Sequence, residues 1–584
     1  MTSEPMKGYV AIELFKNAIE SIADQMALTV IRTSRSSLVK EDLDFSAALC
    51  DAEGRLIAQA LCQPRHMCSI PTAIEAVFHR YGDQFARGDV YALNDPYEGG
   101  SHLPDIYLLK PIFRKSALLA FACTVAHHTD IGGRVAGGNA SDSTEIYQEG
   151  LRIPPIKLYD KGKPDEAIFR ILEKNVRVPD KVLGDLRAQI SACSTGEKEF
   201  LRLAERFRPD QLSVYQAQLL SYTEEFTRRE IMALPDGDYE FTDHIDDDGI
   251  QPEPITIHVK LIKRGDSITV DFTGTSPSTK GAINPTFSYV RSACYACIRS
   301  VLSLDIPNNS GFFVPIQFIA PEGSFVNPVL PSPVAARGLA GMRVTETVFG
   351  ALAQMLPNKV FACGVGLDTG VTIAGYQQDR KPFVFLEFLY VSWGGSPNRD
   401  GMDGVTLPHG NYSNAPVEIV EAEQPLMIEQ YGFVPDTGGA GKYRGGLAIV
   451  RKYRLLSDEG MLQVRSDRRK FLPYGLQGGK PGTPSSNVLN PTRENTTLPS
   501  KFLRNIKRDD VFRHQTAGAG GWGNPLERDP QKVLEDVINE KLTRDFAQRE
   551  YGIILKGDGT SVDLAATRRL RQRMTKNWEE NREA

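Results

Sequence analysis

Apolar residues recur three and four positions apart near the start of the chain, at Val10, Ala11, Leu14, Phe15, Ala18, Ile19, Ile22, Ala23 and Met26. That spacing predicts an amphipathic helix over the first thirty residues. From Asp44 the period changes to two. Phe45, Ala47 and Leu49 alternate, Asp51-Ala-Glu-Gly54 supplies turn chemistry, and Leu56 and Ala58 resume, so a hairpin is expected. Residues 90–93 read as a strand that enters Asn94-Asp-Pro96, a turn, with Gly99-Gly100 beyond it. Residues 117–126 form a near-continuous apolar run, the pattern of a central strand covered on both faces, and the run stops at His127-His128. Chemistry held where a buried strand gives way to a loop has a rigid base, so these strand ends are where functional side chains are sought.

Further on, residues 183–206 and 219–234 read as helices, and Pro235-Asp-Gly237 as a boundary. Strands are expected at 239–241, 255–261 and 267–272, with helices near 291–302 and 342–354. Residues 416–467 are strand-rich with glycine turns, and 527–584 read as charged helices. There is no internal repeat. The pattern predicts an α+β, multi-domain chain: an N-terminal mixed α/β domain with a metal site (1–235), a central α+β domain (236–415), a strand-rich domain (416–526) and a helical C-terminal tail (527–584).

Composition narrows the class. The chain has 584 residues, 41% hydrophobic and 24% charged, which excludes wholesale disorder. Lys plus Arg number 68 against 73 Asp plus Glu, so no basic footprint for nucleic acid exists. No apolar run approaches the roughly 20 residues of a membrane span. Met1 to Lys7 show no secretory leader, and eight cysteines are too sparse for a disulfide scaffold. A cytoplasmic protein without membrane or nucleic-acid partners is expected.

The chemistry gathers where the strand ends fall. Three of the nine histidines, His102, His127 and His128, lie close together in Asn94-Asp-Pro-Tyr-Glu-Gly-Gly-Ser-His102-Leu-Pro-Asp105 and His127-His128-Thr-Asp130-Ile-Gly-Gly133. With Pro104 between them, His102 and Asp105 sit on a turn that can aim imidazole and carboxylate at one centre. Neighbours along a strand face opposite ways, so only one of His127 and His128 is expected there. Two imidazoles with one or two carboxylates make a borderline nitrogen and oxygen site for Zn²⁺, Mn²⁺ or Fe²⁺. The alternative is a set of hydrogen-bonded polar residues at loop entrances, and no HExxH pattern decides between them.

These segments, together with Lys40-Glu-Asp-Leu-Asp44-Phe-Ser46, Glu149-Gly-Leu-Arg-Ile-Pro-Pro155, Gly184-Asp-Leu-Arg-Ala-Gln189, Asp271-Phe-Thr-Gly-Thr-Ser276 and Gly438-Gly-Ala-Gly-Lys-Tyr-Arg-Gly-Gly446, resemble the hydantoinase B/oxoprolinase family. The likeness extends to beta-type subunits of N-methylhydantoinase, 5-oxoprolinase and caprolactamase, and to subunits of acetone and acetophenone carboxylases. It implies one subunit of an ATP-dependent cyclic-amide (hydantoin, 5-oxoproline or lactam) hydrolase. A hydantoinase A-like partner would bind ATP and Mg²⁺ and phosphorylate the substrate, in a hetero-tetramer or larger assembly. It also implies that Asp44, His102, Asp105 and His127 hold a divalent ion, Zn²⁺, Mn²⁺ or Fe²⁺, with Asp130 or His128 as general base or orienting group and Tyr97 near the pocket. An ATP-dependent ketone carboxylase subunit is the second reading, and a non-catalytic scaffold with a structural metal the third.

Other signals are weaker. Gly518-Ala-Gly-Gly-Trp-Gly523 fits GxGxxG, but Asn524-Pro525 follows where a helix must begin, so a structural turn is expected. Gly438 to Lys442 lacks the first glycine and the Ser/Thr of a phosphate loop. Asp246-Asp-Asp-Gly249 fails the calcium-loop register and reads as a solvated turn, while Cys294 and Cys297 lack a second pair and read as core packing. No Gly-x-Ser-x-Gly elbow occurs.

Overall fold

The computed structural model describes residues 8–60, 63–366, 368–557 and 559–583. Met1 to Lys7, read above as lacking a leader, lie outside them. Among these residues the chain is a mixed α+β protein built around four sheets.

The N-terminal half carries a seven-stranded sheet. Its strands are β1 (Phe45–Asp51), β2 (Leu56–Gln59), β3 (Val90–Leu93), β4 (Asp105–Arg114), β5 (Ala117–His127), β6 (Ile156–Asp160) and β7 (Lys163–Pro164). Their spatial order is β2-β1-β5-β4-β3-β6-β7, so the apolar run is an inner strand with a partner on each side. The run is continuous because it feeds two cores in alternation. Phe121, Cys123 and Val125 point into one core, while Ala120, Ala122 and Ala126 point into the other. The first helix spans Gly8–Thr33, as its periodicity predicts, and packs with helices Pro179–Ala204 and Pro209–Met232 over the second of these faces.

The opposite face is covered by helices Ser69–Tyr81, Phe287–Val301 and Arg337–Met355. The last begins five residues before the expected 342 and is buried at almost every position. A helix apolar all round must be enclosed, and this one lies between the N-terminal sheet and a second sheet of β8 (Gly237–Ile245), β9 (Ile255–Arg264), β10 (Ser267–Asp271) and β11 (Ile316–Ile319).

Nine strands follow: β12 (Gly370–Tyr376), β13 (Pro382–Phe388), β14 (Leu426–Val434), β15 (Ala448–Leu455), β16 (Glu459–Arg465), β17 (Ser486–Leu489), β18 (Thr496–Leu498), β19 (Lys501–Lys507) and β20 (Val511–Gln515). They form a β13-β12-β16-β19 sheet and a β14-β15-β20-β17-β18 sheet, so strands on both sides of residue 415 share one sheet. Helices Pro530–Ile538, Arg544–Tyr551 and Leu564–Glu583 close the chain.

The glycine-rich motifs are backbone crossings. A Cβ on Gly518 would meet the Thr437 carbonyl, and one on Gly445 the Ala519 carbonyl, so the two motifs lie against each other. In the acidic run at 246–248, expected to be solvated, Asp246 and Asp248 are buried and Asp247 is partly exposed. Asp246 accepts the backbone N–H groups of Arg469, Lys470 and Phe471, and Asp248 that of Gly281, because these turns have no ladder partners of their own. Cys294 and Cys297 pack in the first core as expected, and the seven described cysteines are all free and buried. Among the described residues, no helix is long and apolar enough to cross a membrane.

Candidate metal centre

Asp105 opens β4 and pairs across the ladder with His127, the last residue of β5. Both share the parity of Phe121, Cys123 and Val125, so both face the enclosed helix rather than the outer one. His102 lies on the preceding turn, closed by the Asp105 N–H donating to the His102 carbonyl at 3.1 Å. One ligand atom from each of His102, Asp105 and His127 lies within 4.8 Å of the others, and all three residues are buried. The two imidazoles meet edge to face with centroids 4.9 Å apart.

Protonation follows from the neighbours. His102 Nδ1 lies 2.9 Å from the carbonyl oxygen of Ala335, which can only accept, so Nδ1 carries the hydrogen. Burial, then the Arg337 guanidinium, hold His102 below its ordinary pKa. Its Nε2 lies 3.0 Å from Asp105 Oδ1. Burial opposes ionisation of Asp105, but His102 and Arg337 outweigh it and hold the carboxyl well below its usual range. Nε2 and the carboxylate oxygen thus face each other at hydrogen-bond distance, a gap that a proton or a metal ion can bridge. Positive charge belongs between them.

His127 supplies the third donor. Neither ring nitrogen has a hydrogen-bond partner, although both are buried. Burial, then His102, hold it well below the usual histidine range, so it is a neutral imidazole with an unused lone pair. Two neutral nitrogens and a carboxylate oxygen fit a borderline divalent cation.

The outer partners come from far along the chain. Arg337 donates to Asp105 Oδ2 and, through Nε, to Ser101 Oγ at 2.5 Å. His66 Nε2 stands 3.6 Å from the same Oδ2, its other nitrogen 3.0 Å from Ser46 Oγ. Sequence reasoning missed both residues. Arg337, Arg343 and Glu346 among the apolar positions of one helix were the signal that buried charge waited there.

The remaining expected residues are placed as follows. The Asp44 carbonyl accepts the His127 N–H at 3.0 Å, and its buried carboxylate is the foremost charge that, against burial, raises the pKa of Arg65. Asp44 stands outside the three-residue group. His128 turns to the other face, where Nε2 lies 3.0 Å from Gln189 Oε1 of helix Pro179–Ala204. Asp130 accepts the Arg177 N–H at 2.6 Å, its Nη1 at 3.0 Å and the Gly137 N–H at 3.1 Å, which fixes the loop after β5. Tyr97 donates to the Ser332 carbonyl at 2.5 Å.

Comparison with known proteins gives a consistent answer. The model of the family described as Hydantoinase B/oxoprolinase matches residues 9–525. Caprolactamase subunit beta of Pseudomonas jessenii is 31% identical over 585 residues, covering 96% of this chain and 98% of that one. The crystal structure of the ATP-dependent caprolactamase from Pseudomonas jessenii superposes with a TM-score of 0.90 at 29% identity, covering 98% of this chain and 100% of its own. A nucleotide-free acetone carboxylase shares the fold, with a TM-score of 0.88 at 18% identity over 98% of this chain and 83% of its own.

Proposed function

The chain belongs to the hydantoinase B/oxoprolinase family, and we propose that it is the metal-containing subunit of an ATP-dependent cyclic-amide hydrolase, acting on a substrate that a hydantoinase A-like partner has phosphorylated. The observation that carries this reading is the convergence of buried His102, Asp105 and His127, with one ligand atom from each within 4.8 Å of the others. It is supported by likeness to a caprolactamase beta subunit and to a structure described as ATP-dependent. The absence of a Walker-type phosphate loop from the sequence supports ATP and Mg²⁺ binding on the partner, in a hetero-tetramer or larger assembly. Free, buried cysteines support a cytoplasmic setting.

Asp44, His102, Asp105 and His127 are the proposed ligands of Zn²⁺, Mn²⁺ or Fe²⁺. A divalent ion supplies Lewis-acid polarisation of the carbonyl and acidification of water. The chain's own residues set the geometry. Ala335 fixes the His102 tautomer, Arg337 occupies one oxygen of Asp105 so that the other faces inward, and His127 keeps an unbonded nitrogen. Neither candidate base stands at the ligand atoms: His128 turns to the other face of the sheet, against Gln189, and Arg177 and Gly137 engage Asp130, so the reading keeps His128 and Asp130 as outer, orienting residues.

The test is reconstitution with the ATP-binding partner. Ring opening that requires ATP but no bicarbonate is the expected result. Bicarbonate-dependent ATP turnover with a ketone would replace it with the carboxylase reading, and full activity in His102→Ala would leave only a scaffold.

A further inference from the structure

Three buried guanidiniums converge on this centre from distant parts of the chain: Arg65 after β2, Arg337 opening the enclosed helix, and Arg465 ending β16. Arg337 is fully engaged by Asp105 and Ser101. The other two are engaged only in part: Arg65 Nε donates to Gln63 Oε1 at 3.1 Å and Arg465 Nη1 to Asn139 Oδ1 at 3.3 Å. Asp368 Oδ2 lies 3.8 Å from Arg65 Nη1 and 3.5 Å from Arg465 Nη2, and neither contact is a hydrogen bond. Both Asp368 oxygens and Arg65 Nη2 are buried without a partner. Arg465 lies over the Phe388 ring at 4.8 Å, and the same ring meets His127 at 5.5 Å. Room for Arg465 depends on Gly370, since a Cβ there would stand 2.5 Å from its Nε.

Buried donors and acceptors are seldom left unpaired, so two loosely held arginines beside a histidine pair signal an absent third party. Chemistry identifies it. The buried N–H groups left over on Arg65 (Nη2) and Arg465 (Nε) can only donate, so the missing partner is an acceptor, and between two guanidiniums the fitting acceptor is an anion. The planar fork of arginine matches phosphoryl oxygens.

We propose that Arg65 and Arg465, spaced by Asp368 and backed by Phe388, form an oxyanion site that receives the phosphoryl group of the activated substrate beside the metal ligands. This rests on the proposed function and adds its missing anion contact. Asp368 acts as a brake: its negative charge repels the bound anion and weakens the arginines' hold on it, so that product leaves.

Inorganic phosphate is the probe, titrated calorimetrically into the metal-loaded assembly with metal content and thermal midpoint measured in parallel. Arg465→Met should weaken phosphate binding about tenfold or more, with Arg465→Lys intermediate. Asp368→Asn should tighten it by about the same factor, a direction no loss of structure would produce and one that decides the matter if Arg465→Met fails to fold. Unchanged affinity in both variants, or no phosphate binding by the metal-loaded wild type, would overturn the site. Arg465→Met should also raise KM for the cyclic amide more than it lowers kcat. An unmoved KM with relieved phosphate inhibition would overturn the assignment to substrate. A wild type that lacks metal yet holds phosphate through Arg465 would remove the function reading and leave this site standing.

Discussion

Glu149 Oε1 accepts the backbone N–H of Ala335 at 2.9 Å, and that of Val334 at 2.7 Å, across 186 and 185 residues of chain. The Ala335 carbonyl in turn holds His102 Nδ1. Glu149 thus fixes which nitrogen of His102 is free without touching the ring, the role of an orienting partner in metal sites.

Glu149 is buried, and burial pushes its carboxyl well above the usual range despite the two backbone donors. A neutral side chain of the same shape should therefore serve. Glu149→Gln is expected to cost less than about 1 kcal/mol, whereas Glu149→Ala leaves two buried N–H groups unpaired and should cost about 2–4 kcal/mol. Metal affinity should fall about 10- to 100-fold in the Ala variant alone. Thermal unfolding and competitive chelation measure the two effects.

His127 separates ligation from folding. Because neither ring nitrogen has a partner in the chain, His127→Ala orphans nothing. The metal-free variant should lose no more than about 2 kcal/mol, from the cavity, while metal is lost outright. Denaturation of stripped and loaded protein checks this. Equal destabilisation in both forms would mean that His127 packs and does not bind.

Glu346, on the enclosed helix, makes stability depend on pH. Burial, opposed by Arg468, pushes its carboxyl up to about 7 from 4.5. Between those values the folded protein keeps a proton that the unfolded chain releases. Stability contributed by this group is thus present at low pH, falls as pH rises through the window, and stays lost above about 7. The full swing is on the order of 3 kcal/mol. Glu346→Gln should flatten the pH dependence of the unfolding midpoint between those two values.

Local pattern made the first helix, the hairpin β1–β2 and the inner strand β5 legible, because each is set by period and turn chemistry over a few residues, whereas β4, which carries Asp105, was not among the expected strands. Alternation also places His127 on one face and His128 on the other, as the structure has them. What the pattern did not carry was the far side of the site. Arg337, Asp368 and Arg465 meet His102 and His127 only through tertiary packing, and no spacing links residues more than two hundred positions apart. The pairing of β12 with β16 across the helix Val417–Glu423 was hidden for the same reason. The enclosed helix was read short because Gly338 and Gly341 weaken helix propensity, although Gly341 is required where Tyr289 packs against it.

The most direct test of the account is the metal content of the assembled protein, by elemental analysis with anomalous scattering at the site. About one divalent ion per chain is expected between His102, Asp105 and His127, with Asp44 beside it, and none in His127→Ala. A correctly folded wild type that takes up no ion when metal is supplied, or a full complement retained in His102→Ala and His127→Ala alike, would contradict it.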